Sequence, residues 1–307
     1  MLTASETLGR VVVSATNAWR RAVLRRHGLR RRTIHLPDSE TDIVCWMPKD
    51  VERTCNQKPS LLLLHGFGSN GTESWASHVS SLSRHFALFI PDLLFFGSST
   101  TSRLERSELF QAHCIHTAIL SLGVNQSFVM GHSYGGFVAY RLAHLYPEFV
   151  TKLIIVASGI MMDCHNNDYA LRKTGANSVY DILAPTSVPA LKQTLELVLN
   201  GTPKIPDFVL KAMLKNPNRD HHVELIDALE IGKYETPSYL PKVSQKTLIL
   251  WGEKDQIFNI KLAFDLKLFL GATAEVKVFK EQGHVPQFAQ SFDEEVISFL
   301  RTNGSTE

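Results

Sequence analysis

Six short strand-like runs, separated by segments of helical periodicity, constrain the fold of this chain more than any other feature. Runs this rich in apolar residues are typical of strands buried on both faces. They lie at 60–64, 86–90, 127–130, 152–157, 246–251 and 274–279, after a predicted antiparallel hairpin at 33–36 and 42–47. Helical periodicity marks 105–122, 134–145, 262–270 and 292–301. We therefore predict an α/β fold with a mostly parallel, eight-stranded sheet flanked by helices.

The interval 159–244 interrupts this rhythm. It has no convincing strand, and helical stretches fall near 189–199, 206–214 and 222–231 between frequent prolines. We interpret it as a helical cap inserted into a core formed by residues 33–158 and 245–307. Residues 1–32 are assigned to a basic amphipathic N-terminal helix.

Composition and charge narrow the classes of function. The 307 residues are 44% hydrophobic and 20% charged, which excludes a disordered or fibrous chain. The formal net charge of +2 gives no reason to expect a nucleic-acid partner. This total conceals an asymmetry, because residues 1–33 carry eight arginines and the single acid Glu6. The segment is +7 and the rest of the chain is −5.

Residues 8–26 have the pattern of an amphipathic helix. At about 100° per residue, five apolar residues share one face, and Arg10, Asn17 and Arg21 lie opposite. The five are Leu8, Val12, Ala15, Trp19 and Val23. Three roles stay open for this helix: docking of its apolar face onto the protein's own surface, contact with an anionic membrane surface, or organelle targeting.

The lengths of the apolar runs and the spacing of the cysteines bear on the location of the protein. No run approaches the roughly 18 consecutive apolar residues of a membrane-spanning helix, and the N-terminus lacks the apolar stretch of a secretory signal. The cysteines are widely spaced, which favours a reduced, intracellular setting; they are Cys45, Cys55, Cys114 and Cys164. We expect a cytoplasmic protein, a monomer or weak homodimer, with peripheral membrane contact or organelle targeting left open by the N-terminal helix.

The sequence Gly131-His132-Ser133-Tyr134-Gly135 fits the pattern G-x-S-x-G in an informative setting. It directly follows the predicted strand 127–130 and directly precedes a helical run. A sharp turn between strand and helix exposes its central residue at the helix N-terminus, and the flanking glycines permit the close approach of strand and helix. This context predicts Ser133 as a nucleophile rather than part of an ordinary glycine turn.

A nucleophilic serine needs a histidine base and a carboxylate that orients the histidine. Asp255 follows the predicted strand 246–251, and His284 follows the predicted strand 274–279. The order Ser, Asp, His places all three at the carboxyl edge of a parallel sheet. Asp163 and Glu253 remain alternatives for the acid, whereas no other histidine combines a strand-end position with the required order.

A tetrahedral intermediate also needs hydrogen-bond donors for its oxyanion. The loop His65-Gly66-Phe67-Gly68 follows the predicted strand 60–64. We expect the backbone N–H groups of Phe67 and Tyr134 to serve as these donors.

Together these segments resemble the α/β-hydrolase fold superfamily, in its serine-triad branch. The resemblance spans residues 60–290 and rests on residues 65–68, 91–99, 131–136 and 251–255, and on Gly283-His284. More narrowly, three features look like plant members near the monoacylglycerol-lipase-like and C–C-bond-hydrolase-like branches: the run Leu93-Leu94-Phe95-Phe96-Gly97-Ser98, the segment 251–258 and the basic N-terminal helix.

The resemblance implies a serine esterase or lipase that needs no metal or cofactor and acts on a small lipophilic ester, such as a monoacylglycerol. Three alternatives share the same residues: a ligand receptor with slow turnover, a C–C-bond hydrolase and an acyltransferase. The cap would shape the acyl pocket. Candidate lining residues are Met161, Met162, Ile182, Leu183, Leu195 and Phe208, although ordinary packing within the cap explains each of them equally well.

Overall fold

The computed structural model of the protein describes residues 4–164, 168–215, 217–233 and 240–302. Within these residues nine strands form one sheet in the order β1-β2-β4-β3-β6-β7-β8-β9, and β5 pairs with β2 outside this path. The strands are β1 Leu29–His35, β2 Thr41–Pro48, β3 Ser60–Leu64, β4 Ala87–Pro91, β5 Thr100–Thr101, β6 Ser127–His132, β7 Val150–Val156, β8 Lys246–Gly252 and β9 Ala274–Phe279.

The predicted mostly parallel sheet is confirmed. β1, β2 and β4 pair antiparallel in that order, and every pair from β4 to β9 is parallel. The predicted count of eight strands misses β5, because a two-residue strand leaves no periodic signal. β1 begins at Leu29, inside the segment 1–32 that the sequence assigned to the N-terminal helix.

Helices cover both faces of the sheet. Thirteen α-helices occur in the described residues, and α6 and α13 have the bounds that periodicity predicts. They are α1 Ala4–Arg26, α2 Val51–Cys55, α3 Gly71–Trp75, α4 Val79–Leu82, α5 Glu108–Leu120, α6 Tyr134–Leu145, α7 Tyr169–Thr174, α8 Val179–Leu183, α9 Val188–Leu199, α10 Asp207–Leu214, α11 His222–Asp227, α12 Lys261–Leu270 and α13 Phe292–Arg301. Short 3-10 helices lie at Pro217–His221, Gly271–Thr273 and Pro286–Phe288.

Successive residues of the central strands bury their side chains on opposite faces, as the pleat requires. In β3, Leu62 and Leu64 pack in the cluster that includes residues of α5, α6 and α12. Leu61 and Leu63 pack in the opposite cluster, with residues of α3, α4 and α13. Burial on both faces explains why these strands read as continuous apolar runs rather than as alternating ones.

Helices α7 to α11 lie between β7 and β8, in the segment interpreted as a cap. Because β7 and β8 are adjacent in the sheet, this segment leaves and re-enters the core at neighbouring strands. The division of the chain into N-terminal helix, core and cap stays a prediction. Among the described residues, no helix has the length and apolarity needed to cross a membrane.

Helix α1 packs against α10, but with the face opposite to the one that self-docking requires. Gly9 and Leu24 point inward and are buried. Leu8 and Trp19, from the apolar face, are 52% and 63% exposed. The sequence-based alternative in which the apolar face docks onto the protein's own surface is therefore wrong. Periodicity identifies an apolar face, but it does not determine which face of the helix packs against the protein.

Candidate active site

Ser133 lies at the turn between β6 and α6, and its backbone has φ 52° and ψ −118°. A positive φ is rare for a residue with a side chain and is tolerated where the surroundings enforce it. Two glycines make the turn possible. A Cβ on Gly131 would lie 2.1 Å from the Gly135 carbonyl oxygen, and one on Gly135 would lie 2.5 Å from the backbone of β3. Strand and helix approach too closely for any other residue at either position.

The structure brings Ser133, His284 and Asp255 into one hydrogen-bonded series. Ser133 Oγ lies 2.9 Å from His284 Nε2, and His284 Nδ1 lies 2.9 Å from Asp255 Oδ2. All three residues are buried. Each follows a parallel strand at its carboxyl end, which explains how residues far apart in the sequence meet at one edge of the sheet.

Asp255 is fixed by the backbone as well as by the histidine. Its Oδ1 accepts hydrogen bonds from the N–H groups of Ile257 at 2.8 Å and Phe258 at 3.0 Å. These bonds leave Oδ2 for His284 and hold the carboxylate in one rotamer. Of the two alternative acids, Glu253 accepts a hydrogen bond from the backbone of Glu281. His284 Nδ1 is bonded to Asp255 and to neither Glu253 nor Asp163.

Two further buried histidines hold the loops of this site. The His132 side chain donates from Nε2 to the carbonyl oxygen of His284 at 2.8 Å. His65 Nε2 accepts the N–H of Leu93 at 2.9 Å, which ties the loop after β3 to the loop after β4. Burial lowers the pKa of His132 to about 3 and that of His65 to about 4, so both rings are neutral at physiological pH. Both histidines support loops, in keeping with the sequence motifs in which they occur.

The two expected oxyanion donors border the same space. Phe67 and Tyr134 both line the cavity that contains Ser133, and their rings contact each other edge to face, with centroids 5.7 Å apart. Neither backbone N–H donates a hydrogen bond to another group in the described part of the chain. Two unused backbone donors beside a serine hydroxyl are what an oxyanion requires.

A cavity of about 1100 Å³ connects this site with the cap and with α1. Four of the six residues expected to line an acyl pocket lie on its wall: Met162, Ile182, Leu183 and Leu195. Met161 is not on the wall, and its side chain packs against the core cluster. Phe208 also lies elsewhere, on α10, where its backbone carbonyl faces Gly9 of α1. Helical periodicity within the cap does not distinguish the side that faces the cavity from the side that faces α1.

Two features of the wall were missed in the sequence. His222 of α11 is buried, its ring lies 4.8 Å from that of Phe67, and its Nδ1 has no hydrogen-bond partner in the described residues. Burial lowers the pKa of His222 to about 4, so it offers a neutral polar group to the cavity. Arg10 and Arg21 of α1 also line the cavity. No signal within the sequence connects these segments with Ser133, since their proximity arises only in the fold.

Among the described residues, no group of three or more His, Cys, Asp or Glu side chains is arranged to hold a metal ion. The hydrogen-bonded series has the composition and order of the groups that activate a serine hydroxyl by general-base assistance.

Solved structures share this architecture. The crystal structure of a bacterial membrane phospholipase A superposes with a TM-score of 0.77 at 20% identity, covering 95% of this chain and 91% of that one. A 2-hydroxy-6-oxo-6-phenylhexa-2,4-dienoate hydrolase from a Rhodococcus species gives a TM-score of 0.71 at 19% identity, covering 89% of this chain and all of that one. These likenesses show the fold.

Sequence comparison shows the family. The chain is 27% identical over 252 residues to a pimeloyl-[acyl-carrier protein] methyl ester esterase of Vibrio vulnificus, covering 80% of this chain and 96% of that protein. It is 25% identical over 302 residues to a monoacylglycerol lipase of Homo sapiens, covering 94% and 86%. Residues 59–290 match the alpha/beta hydrolase fold family, which is most of the chain. The protein is a hydrolase, and it belongs to the alpha/beta hydrolase fold family.

Proposed function

We propose that this protein hydrolyses a lipophilic carboxylic ester through an acyl-enzyme formed on Ser133. The observation that carries the proposal is the series of hydrogen bonds from Ser133 through His284 to Asp255, at the base of a large cavity. A buried serine hydroxyl held at 2.9 Å from an imidazole, with a carboxylate fixing the other ring nitrogen, is arranged for nucleophilic catalysis.

The reaction follows from this arrangement. Ser133 Oγ attacks the acyl carbon while His284 Nε2 accepts the hydroxyl proton, and Asp255 stabilises the resulting imidazolium. The negative charge moves to the former carbonyl oxygen, where the N–H groups of Phe67 and Tyr134 bind it. Collapse of the tetrahedral intermediate breaks the bond to the alcohol, which leaves with the proton from His284. Water, deprotonated by the same histidine, then releases the acid and restores Ser133.

The cavity indicates the class of substrate. Ile182, Leu183, Leu191 and Leu195 contribute apolar side chains from the cap, and they suit an acyl chain. Relatives named as a methyl ester esterase and as a monoacylglycerol lipase both act on esters, which supports the same class. A monoacylglycerol combines an apolar chain with a small polar alcohol, and we propose it as the first substrate to test.

The proposal is tested with esters of graded chain length and head group on the wild type and on Ser133→Ala. We expect turnover that rises with acyl length, loss of turnover by about 10³-fold or more in the variant, and labelling of the wild type alone by a fluorophosphonate. Equal labelling of both proteins would exclude Ser133 as the nucleophile. A ligand-dependent rise in melting temperature with negligible turnover would instead favour the receptor alternative.

A carbon–carbon bond hydrolase is the second candidate, because a relative named 2-hydroxy-6-oxo-6-phenylhexa-2,4-dienoate hydrolase is 24% identical over 255 residues. Acyl transfer uses the same acyl-enzyme with an alcohol in place of water. Product analysis separates the three reactions. Ester hydrolysis gives an acid and an alcohol, and carbon–carbon bond hydrolysis of a ketone gives an acid and a carbon fragment that has gained a hydrogen. Acyl transfer gives a new ester when a competing alcohol is present.

A further inference from the structure

Helix α1 turns its most apolar surface to solvent. Leu8, Val11, Val12, Ala15 and Trp19 fall within about 100° of the helix circumference and form what we call the apolar stripe. All five are exposed, and Leu8, Val11 and Trp19 keep 52%, 57% and 63% of their surface in contact with solvent. A contiguous apolar surface of this length on a monomer marks a site of interaction rather than chance exposure.

The inward face of α1 fixes this orientation. Gly9 packs so closely against α10 that a Cβ there would lie 2.2 Å from the carbonyl oxygen of Phe208. Leu24, on the same side, is fully buried in the cluster that contains Trp46. Rolling the helix to bury the apolar stripe would place large side chains where only a glycine fits, and would expose Leu24. The stripe is therefore available to an external partner.

Charge identifies the kind of partner. Residues 10–32 include eight arginines, and within the described part of the chain only Arg20 among them forms an ion pair, with Glu73 at 3.7 Å. The exposed Arg25 and Arg26 lie at the C-terminal end of the stripe, which carries no acid, whereas Arg10 lies on the opposite side of the helix. An apolar face bordered by unneutralised arginines has the composition of a helix that lies in the interface of an anionic membrane.

We propose that α1 seats the protein on an anionic lipid surface, with the apolar stripe inserted at the level of the head groups. A second copy of the chain is a poorer occupant, because pairing two stripes would bring together two segments of charge +7. Lipid with anionic head groups satisfies both the apolar stripe and the arginines around it.

The same helix borders the cavity that leads to Ser133. Arg10, Val13, Asn17 and Arg21 line this cavity, and Arg10 is exposed, so the cavity reaches the surface beside α1. These four residues lie on the side of α1 opposite the apolar stripe, so a lipid surface bound by the stripe is about one helix diameter, roughly 10 Å, from the cavity. Resting on the proposed ester hydrolysis, this proximity assigns the substrate to the interface: an ester whose acyl chain enters the cavity past α1.

The test measures binding of the full chain carrying Ser133→Ala, so that lipid is not consumed. Vesicles of phosphatidylcholine, with and without phosphatidylserine, are sedimented with the protein at low and high salt. We expect binding to the anionic vesicles that weakens with salt. The double substitution Val11→Gln and Trp19→Gln, on residues that do not line the cavity, should reduce this binding about tenfold or more.

A matched control removes the same kind of surface elsewhere. Phe264 and Leu268 of α12 are 51% and 83% exposed, and Phe264→Gln with Leu268→Gln should leave vesicle binding unchanged. In the Ser133-containing protein, the α1 double variant should keep its turnover of a short-chain ester.

Equal vesicle binding by wild type and the α1 variant, or no binding by either, would overturn the proposal. A dimer that the α1 variant loses, without vesicle binding, would assign the stripe to a second copy and overturn it as well.

Because binding is measured without catalysis, the outcome is independent of the ester chemistry. If the wild type hydrolyses no ester but Ser133→Ala binds vesicles, the membrane contact stands and the proposed ester substrate fails. If the wild type hydrolyses esters but vesicles are not bound, the ester hydrolysis stands and the membrane contact fails.

Discussion

At the scale of single residues, the strained backbone of Ser133 is held by its neighbours. Its N–H donates to the carbonyl of Val156 at 2.8 Å, and its own carbonyl accepts from Gly136 N and Ser158 Oγ at 2.8 and 2.7 Å. A positive φ outside glycine costs about 1–3 kcal/mol and persists only where contacts over-determine it. The hydroxyl is therefore presented to His284 by a constrained backbone, and in the proposed mechanism this constraint reduces the reorganisation needed before attack.

Replacing Asp255 by Asn tests the orientation of His284. An amide fills the same space but no longer presents a carboxylate to Nδ1, so the imidazole loses its preferred tautomer and the imidazolium its stabilising charge. We expect kcat to fall by about 10⁴-fold, with a circular dichroism spectrum like that of the wild type. Turnover within tenfold of the wild type would show that Asp255 does not orient the base.

The His132 side chain holds the loop of His284 through a hydrogen bond, and a pair of variants tests this positioning role. His132→Phe removes the hydrogen bond to the His284 carbonyl, whereas His132→Gln retains a donor. We expect kcat to fall about tenfold in the first variant with KM little changed, and the second to recover part of the loss. Parallel losses of melting temperature and kcat in both variants would point to a purely structural role.

At the scale of elements, a buried ion pair joins the core helices to the end of the cap. Arg141 of α6 donates from Nε and Nη2 to Glu108 Oε1 of α5, at 3.0 and 2.9 Å. Glu108 Oε2 accepts the N–H of Glu230 at 3.0 Å, beyond α11. The side chain of Glu108 is fully buried, so its charge depends on these partners.

Arg141→Met should destabilise the protein strongly, because it leaves the Glu108 carboxylate buried without its partner. We expect the free energy of unfolding in urea to fall by about 3–5 kcal/mol. Adding Glu108→Gln removes the stranded charge and should restore part of this loss. If the loss of unfolding free energy in the double variant equals the sum of the losses in Arg141→Met and Glu108→Gln, the two residues are not coupled.

The elements also show how much the sequence alone could predict. The strands around the site and the positions of Ser133, Asp255 and His284 follow from local pattern, because each lies where a buried strand ends. The facing side of α1 could not be predicted, since it depends on the close approach of Gly9 to α10, far along the chain. For the same reason the wall residue His222 was missed, whereas Met161 and Phe208 were placed on it.

At the scale of the whole molecule, buried titratable groups couple stability to pH. Burial lowers the pKa of His65 and of His222 to about 4, and that of His132 to about 3, from an ordinary value of 6.5. Below pH 6.5 the unfolded chain therefore gains protons that the folded chain does not accept until the pH nears 4. Burial raises the pKa of Asp92 to about 6 and also raises that of Glu73. As the pH falls, the folded chain therefore protonates these carboxyls before the unfolded chain does, which opposes the effect of the histidines on stability.

The net effect is a stability that is full above pH 6.5 and declines toward pH 4. Between about pH 4 and pH 6, these three histidines and two carboxyls together bind roughly one to two more protons in the unfolded chain than in the folded chain. The free energy of unfolding therefore falls by about 1.4–2.7 kcal/mol for each pH unit. Urea unfolding at pH 7, 6 and 5 and constant ionic strength measures this slope. His222→Phe, which places a third phenyl ring beside Phe67 and Phe96, should reduce the slope by up to about 1.4 kcal/mol per pH unit. A stability that is constant or rises as the pH falls from 7 to 5 would show that the carboxyls, rather than the histidines, dominate the coupling.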